Sequence, residues 1–217
     1  MPDNTFEKMK LKGIRGVTAK IKRDNTGWII SEPKFSYLSK PVKHIKLISR
    51  KSQHWAEYSS MLAESRNCLY CLTEISKALT DDDSIEQLHT ELFISALVRY
   101  GKCFNSSGAR QITLNADFID EGFREIHQQM FMLRNNYAAH VGSGKDSSER
   151  QINSINAYAF RAGKGIVLAT DYMSPHIYRL DEFINLVKHL ISKLEIKEKE
   201  YFNMVNTSEE IVNYRKK

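Results

Sequence analysis

The chain has 217 residues, 41% of them hydrophobic and 27% charged. That length gives one domain with additions and a sizeable core, and the composition excludes a disordered polymer. No apolar run approaches a bilayer span, and the start MPDNTFEKMKLK has neither an apolar core nor a small-residue cleavage site. No membrane association and a cytoplasmic location are therefore expected. The net charge of +6 is unevenly spread: residues 1–51 carry 13 Lys+Arg against 4 Asp+Glu, and residues 52–217 carry 19 against 22. A basic block of this kind meets a polyanion or serves as a solvated surface.

Residues 1–50 read as an irregular basic N-terminal arm with room for a short hairpin. Lysines and arginines from Lys8 to Arg23 interleave with Met9, Leu11, Ile14, Val17 and Ile21. Asp24-Asn25-Thr26-Gly27 reads as a turn and Trp28-Ile29-Ile30 as a short strand. The helical body is expected over 51–205. Ser52 is positioned to cap a helix running to about Leu79, with Trp55, Tyr58, Leu62, Ser65, Leu69, Leu72 and Ile75 at three- and four-residue steps. Asp81-Asp82-Asp83 ends it, and Ser84 with Gln87 makes a weak capping box for a second helix, Ile85 to about Phe104. That helix carries two apolar stripes, Ile85-Leu88-Leu92-Ala96-Cys103 and Phe93-Leu97-Tyr100-Phe104, so it should be buried on more than one side. Arg99 and Lys102 are conspicuous on it, either snorkelling to the surface or extending a phosphate-facing patch.

Asn115 is expected to cap a third helix, roughly Ala116 to His140. Ile119, Phe123, Ile126, Met130, Leu133 and Tyr137 face the core at helical spacing, while Asp120, Arg124, His127, Phe131 and Arg134 share another face. A hairpin insertion follows at 151–172, turning at Gly163-Lys164-Gly165. The last long helix starts near Asp181, and the tail 206–217 is expected to fray. The fold class is thus mainly α: about four long helices, a small β-hairpin insertion before the last, and the basic arm. Cys68, Cys71 and Cys103 read as buried thiols. The CxxC has no second pair and no zinc-like histidine set, so no metal and no cofactor is implied.

The end of the third helix carries the chemistry. Arg134-Asn135-Asn136-Tyr137-Ala138-Ala139-His140 puts a fixed cation, an amide and a near-neutral proton carrier within seven residues. Arg holds phosphate through a planar fork, and His exchanges a proton near pH 7. On spacing alone a helix C-terminus with a capping His and a salt-bridged Arg is the favoured reading. On an ideal α-helix His140 lies about 120° around from Arg134, so the two meet poorly within one straight helix.

The R-N-x4-H string at the end of a helical body resembles the signature of the HEPN superfamily (higher eukaryotes and prokaryotes nucleotide-binding). Met132-Leu133 before the string and Tyr137-Ala138-Ala139 within it resemble that family's context; the hairpin insertion departs from a minimal bundle. The resemblance implies a metal-independent endoribonuclease working as a homodimer, with Arg134, Asn135 and His140 of both copies building one cleft. It further implies RNA as substrate, an antitoxin or other protein partner, and service as a toxin or in phage defence. Arg99, Lys102, Arg110 and His127 are the candidates for substrate contact. A non-catalytic RNA-, nucleotide- or protein-binding module of the same fold stands as the alternative.

Overall fold

The computed structural model describes residues 6–10, 17–22, 34–38, 40–81, 87–105, 111–135, 155–162, 165–172 and 179–215. The chain divides into two compact units, Met1–Ile48 and Ser49–Lys217.

The first unit is more ordered than an irregular arm. Four antiparallel strands, β1 (Phe6–Lys10), β2 (Val17–Lys22), β3 (Lys34–Tyr37) and β4 (Lys40–Pro41), pair in chain order. VTAKIK alternates apolar and polar residues with the period of a strand, whereas FEKMK breaks that alternation at Glu7-Lys8. The turn from β3 to β4 holds Leu38 at φ 46°, a left-handed conformation that is costly for a residue with a Cβ. Beyond β4, Val42 N–H donates to Phe35 C=O at 3.1 Å and His44 packs edge-on against Phe35. The expected turn at 24–27 and strand at 28–30 lie outside the described residues.

The second unit is mainly helical. Its elements are α1 (Arg50–Asp81), α2 (Gln87–Phe104), α3 (Arg124–Leu133), the hairpin β5 (Ile155–Ala162) and β6 (Gly165–Tyr172), α4 (Leu180–Asn206) and α5 (Glu209–Arg215). The hairpin register closes on Ala162 opposite Gly165, and the expected turn residues Gly163 and Lys164 lie outside the described residues. α1 packs on both α2 and α4, and α3 packs on α4 and α2. The core runs through Met61, Leu72 and Ile75 of α1, Phe93 and Tyr100 of α2, Met130 of α3, and Phe183 and Leu190 of α4, all essentially inaccessible. Cys68, Cys71 and Cys103 are free and buried, as their spacing suggested. Burial pushes the Cys68 thiol well up, so it stays protonated. Among the described residues no helix is long and apolar enough to cross a membrane.

Four features differ from the sequence expectation. The cap of α1 is Ser49 rather than Ser52: its Oγ accepts the Ser52 N–H at 3.3 Å, and Ser52 Oγ donates back to the Ser49 C=O at 2.8 Å. Leu88, placed on a core stripe, is exposed, because α2 buries its Phe93–Tyr100 side instead. The tail does not wholly fray: α5 forms, and its Glu210 accepts the Ser49 N–H at 3.2 Å, holding the start of α1.

The third helix begins at Arg124 rather than Ala116, and its expected end at His140 lies outside the described residues. Two isolated 3₁₀ turns, Ala116–Phe118 and Glu121–Phe123, precede it. Between them Ile119 is extended and fully buried, so the chain breaks its helix to insert this side chain. Asp120 is then fastened to α4. Its Oδ1 accepts from Lys193 Nζ at 2.5 Å, its N–H donates to His189 Nε2 at 3.4 Å, and the His189 ring stacks on Phe123. The Lys193 ammonium holds the Asp120 carboxyl below its usual range. On the α1 side, the Glu57 carboxylate accepts the N–H groups of Gln111 and Ile112 at 2.8 and 2.7 Å. These ties set where α3 begins, and therefore where its far end falls.

Candidate functional site

The far end of α3 lies against α2 at Gly101. Gly101 is buried, and a Cβ built on it would come within 3.2 Å of Arg134 Nε and 3.4 Å of its Cδ and Cγ. A glycine inside a helix costs about 0.5–1 kcal/mol relative to alanine. Here its bare backbone provides a seat over which the Arg134 stem lies. The Arg134 Nη1 donates to Asn135 Oδ1 at 2.8 Å, which fixes one edge of the guanidinium fork. The motif's first two residues are therefore joined, and the seat is a site residue the sequence reading missed. Its signal was a glycine in the middle of an otherwise strong helical pattern, which commonly has a packing or functional reason.

Regular α geometry also stops here. The Arg134 N–H is shared between the carbonyls of Met130 and Phe131, and the helix widens into a π-type turn at Arg134 and Asn135. Such turns cluster at functional sites. The 120° offset of His140, computed for a straight α-helix, does not carry over to a chain that changes pitch at Arg134. His140 itself, and Arg110, lie outside the described residues.

Arg134 differs from its counterparts in charge balance. Three described arginines are half-buried: Arg99, Arg134 and Arg179. Arg99 Nη1 meets Glu64 Oε2 at 2.7 Å. Arg179 meets Glu125 at 2.7 Å, Gln129 at 2.6 Å and Glu182. Arg134 has an amide and, among the described residues, no carboxylate. A cation partly withdrawn from water without a counter-charge is poised for an anion.

The remaining candidates fall in two other places. Arg99 and Lys102 share Glu64, Lys102 Nζ lying 3.4 Å from Oε1, so the expected phosphate patch on α2 is an ion-pair network. His127 does not line a solvent-facing stripe with Arg134: it is buried, its Nδ1 2.6 Å from the Tyr100 hydroxyl. The rings of Tyr100, Phe104, His127 and Phe131 lie 4.7–6.0 Å from one another. Burial pushes the Tyr100 hydroxyl up and the His127 imidazole down. The pair is thus neutral near pH 7, joined by one hydrogen bond whose donor depends on the imidazole tautomer. The helix positions were as expected; what spacing could not show was that α2 covers this face with aromatic rings. The cluster forms a rigid floor one and two turns below Arg134 on α3.

Among the described residues no group of three or more His, Cys, Asp or Glu gathers at metal-holding distances. Compared with protein-family models, curated proteins and solved structures, the chain matches none.

Proposed function

We propose that the chain is a metal-independent endoribonuclease of HEPN type, with Arg134, Asn135 and His140 as its working groups and two copies completing the site. The observation that carries this reading is Arg134: half-buried, seated on a glycine, fixed by the adjacent amide and lacking a carboxylate among the described residues. A phosphodiester supplies the missing charge, and a guanidinium already held in place stabilises the further charge that develops on the phosphorane. Asn135 keeps the fork oriented. His140 takes the 2′-OH proton or delivers one to the leaving 5′-oxygen, and the partner copy's histidine does the other. The use of the 2′-OH makes RNA the substrate and leaves DNA intact. Service as a toxin or phage-defence effector, restrained by a protein partner, belongs to the same reading.

A second reading has one observation in its favour. Glu64 holds both Arg99 and Lys102 in ion pairs, so the α2 cations expected to line a long substrate are partly offset. A non-catalytic module that holds an anionic ligand at Arg134 fits that balance.

Incubation with single-stranded and structured RNA in EDTA separates the two. The nuclease reading expects cleavage that survives EDTA and is lost in Arg134→Ala and in His140→Ala. Intact RNA, or equal cleavage by the variants, overturns it; RNA bound but uncut by the wild type favours the module.

A further inference from the structure

The strand register of the first unit sorts its residues onto two unlike faces. Residues directly opposed in an antiparallel ladder share a face, and neighbours along a strand alternate. Phe6 opposes Lys22, Lys8 opposes Lys20, Lys10 opposes Thr18, and β3 continues the rows with Lys34 opposite Lys20 and Ser36 opposite Thr18. One face therefore holds Lys8, Lys10, Lys20, Lys22 and Lys34, with Phe6, Thr18, Ser36 and, opposite Ser36, Pro41. The other holds Met9, Val17, Ala19, Ile21, Phe35 and Tyr37, together with Glu7 and Lys40. Glu7, the only carboxylate among the described strand residues of this unit, thus falls on the face opposite these five lysines.

The register sets Lys8 opposite Lys20 and Lys20 opposite Lys34, so three lysine positions share one row, with Lys10, Thr18 and Ser36 in the next. Strand geometry spaces the positions about 4.8 Å apart across the sheet and about 6.7 Å apart along each strand. Lysine positions at such spacings suit a chain of phosphates.

We propose that the lysine face of β1–β3 is a docking surface for the phosphate backbone of single-stranded RNA. A nucleic acid fits better than an anionic membrane, because the face offers one aromatic residue and no apolar band to enter lipid. This surface would hold the substrate of the nuclease proposed above, and in naming RNA it rests on that reading.

The test uses the full chain and a fluorescent single-stranded 2′-O-methyl oligonucleotide, which lacks the attacking hydroxyl and so reports binding alone. Affinity is measured by anisotropy over a series of salt concentrations. The triple variant Lys8→Gln/Lys20→Gln/Lys34→Gln should bind about tenfold or more weakly at 0.1 M salt and lose about 2 from the slope of log affinity against log salt. A control of equal charge, Lys40→Gln/Lys46→Gln/Lys51→Gln, should change the slope far less. Equal losses in both triples reduce the effect to net charge and overturn the proposal, as does no loss in either. Binding to phosphatidylserine vesicles that depends on the face, with oligonucleotide binding indifferent to it, overturns it in favour of a membrane. If the triple variant does not fold, Lys8→Gln and Lys20→Gln singly should each lower the slope by about 0.7, and unchanged slopes refute the surface. Cleavage of ordinary RNA is scored separately. Face-dependent binding without cleavage removes only the nuclease reading, and cleavage with face-independent binding removes only this one.

Discussion

The two ends of α3 treat an arginine in opposite ways. At the start, Arg179 reaches across from the head of α4 into Glu125 and Gln129 of α3 and Glu182 of its own helix. Those carboxylates, Glu182 foremost, raise its already high pKa further. At the end, Arg134 has a glycine seat and a single amide. Both are half-buried, yet only the first is balanced within the described fold. An arginine that closes its own charge circuit fastens helices, whereas one that does not is available to a ligand.

Substitution should separate the two roles. Arg134→Ala should cost RNA cleavage about a hundredfold to a thousandfold, the loss typical of removing one donor to a developing oxyanion. Its melting temperature should stay close to the wild type, because no carboxylate among the described residues loses its partner. Arg179→Ala should do the reverse. It leaves Glu182, Glu125 and the buried Gln129 without their cation and should lower stability by about 2 kcal/mol in denaturant melts. An Arg134→Ala protein as unstable as Arg179→Ala would erase the distinction.

Gly101→Ala probes the seat. The added methyl meets only the flexible Arg134 side chain at 3.2–3.4 Å, and alanine is the better helix former by about 1 kcal/mol. Stability should therefore hold or rise while cleavage falls about tenfold as the guanidinium is pushed aside. Such a gain in stability paired with a loss of function is not expected of a purely structural glycine.

The smallest effect should come from the floor beneath the site. Burial lowers the His127 pKa in the folded state, so the unfolded chain binds more protons as the pH falls. This contribution to stability is complete above the unfolded value, near pH 6.5. It is lost as the pH drops through the lower folded value. Melting curves from pH 8 to pH 5 should show that slope in the wild type and a flatter one in His127→Gln.

Much of this could be read before any coordinates. The mainly helical class, the pairing of 155–162 with 165–172 and the burial of Ile119, Ile126, Met130 and Leu133 followed from periodicity and glycine placement. The start of the third helix did not. Ile119 and Phe123 fit a helical stripe, but the Asp120 tie to Lys193 and His189 pulls the backbone extended, and that tie is tertiary. His127 looked polar by residue type and is enclosed by rings from another helix. The N-terminal strands were foreseen only as room for a short hairpin: VTAKIK alternates, but FEKMK does not, and the density of lysine masked the period of two. Of the site itself, the Arg134–Asn135 pairing was foreseeable from adjacency, and the Gly101 seat was not, because it joins residues 33 positions apart.

The claim that most needs testing is that Arg134 acts in half of a site which a second copy completes. Wild-type and His140→Ala proteins should be mixed in equal amounts, allowed to exchange subunits and assayed on RNA in EDTA. If the histidines of both copies serve one shared cleft, the half of the dimers that are mixed fall silent, and cleavage should drop to about a quarter of the wild-type level at the same total protein. Cleavage at about half that level, as expected if each copy works alone, would contradict a site shared between copies.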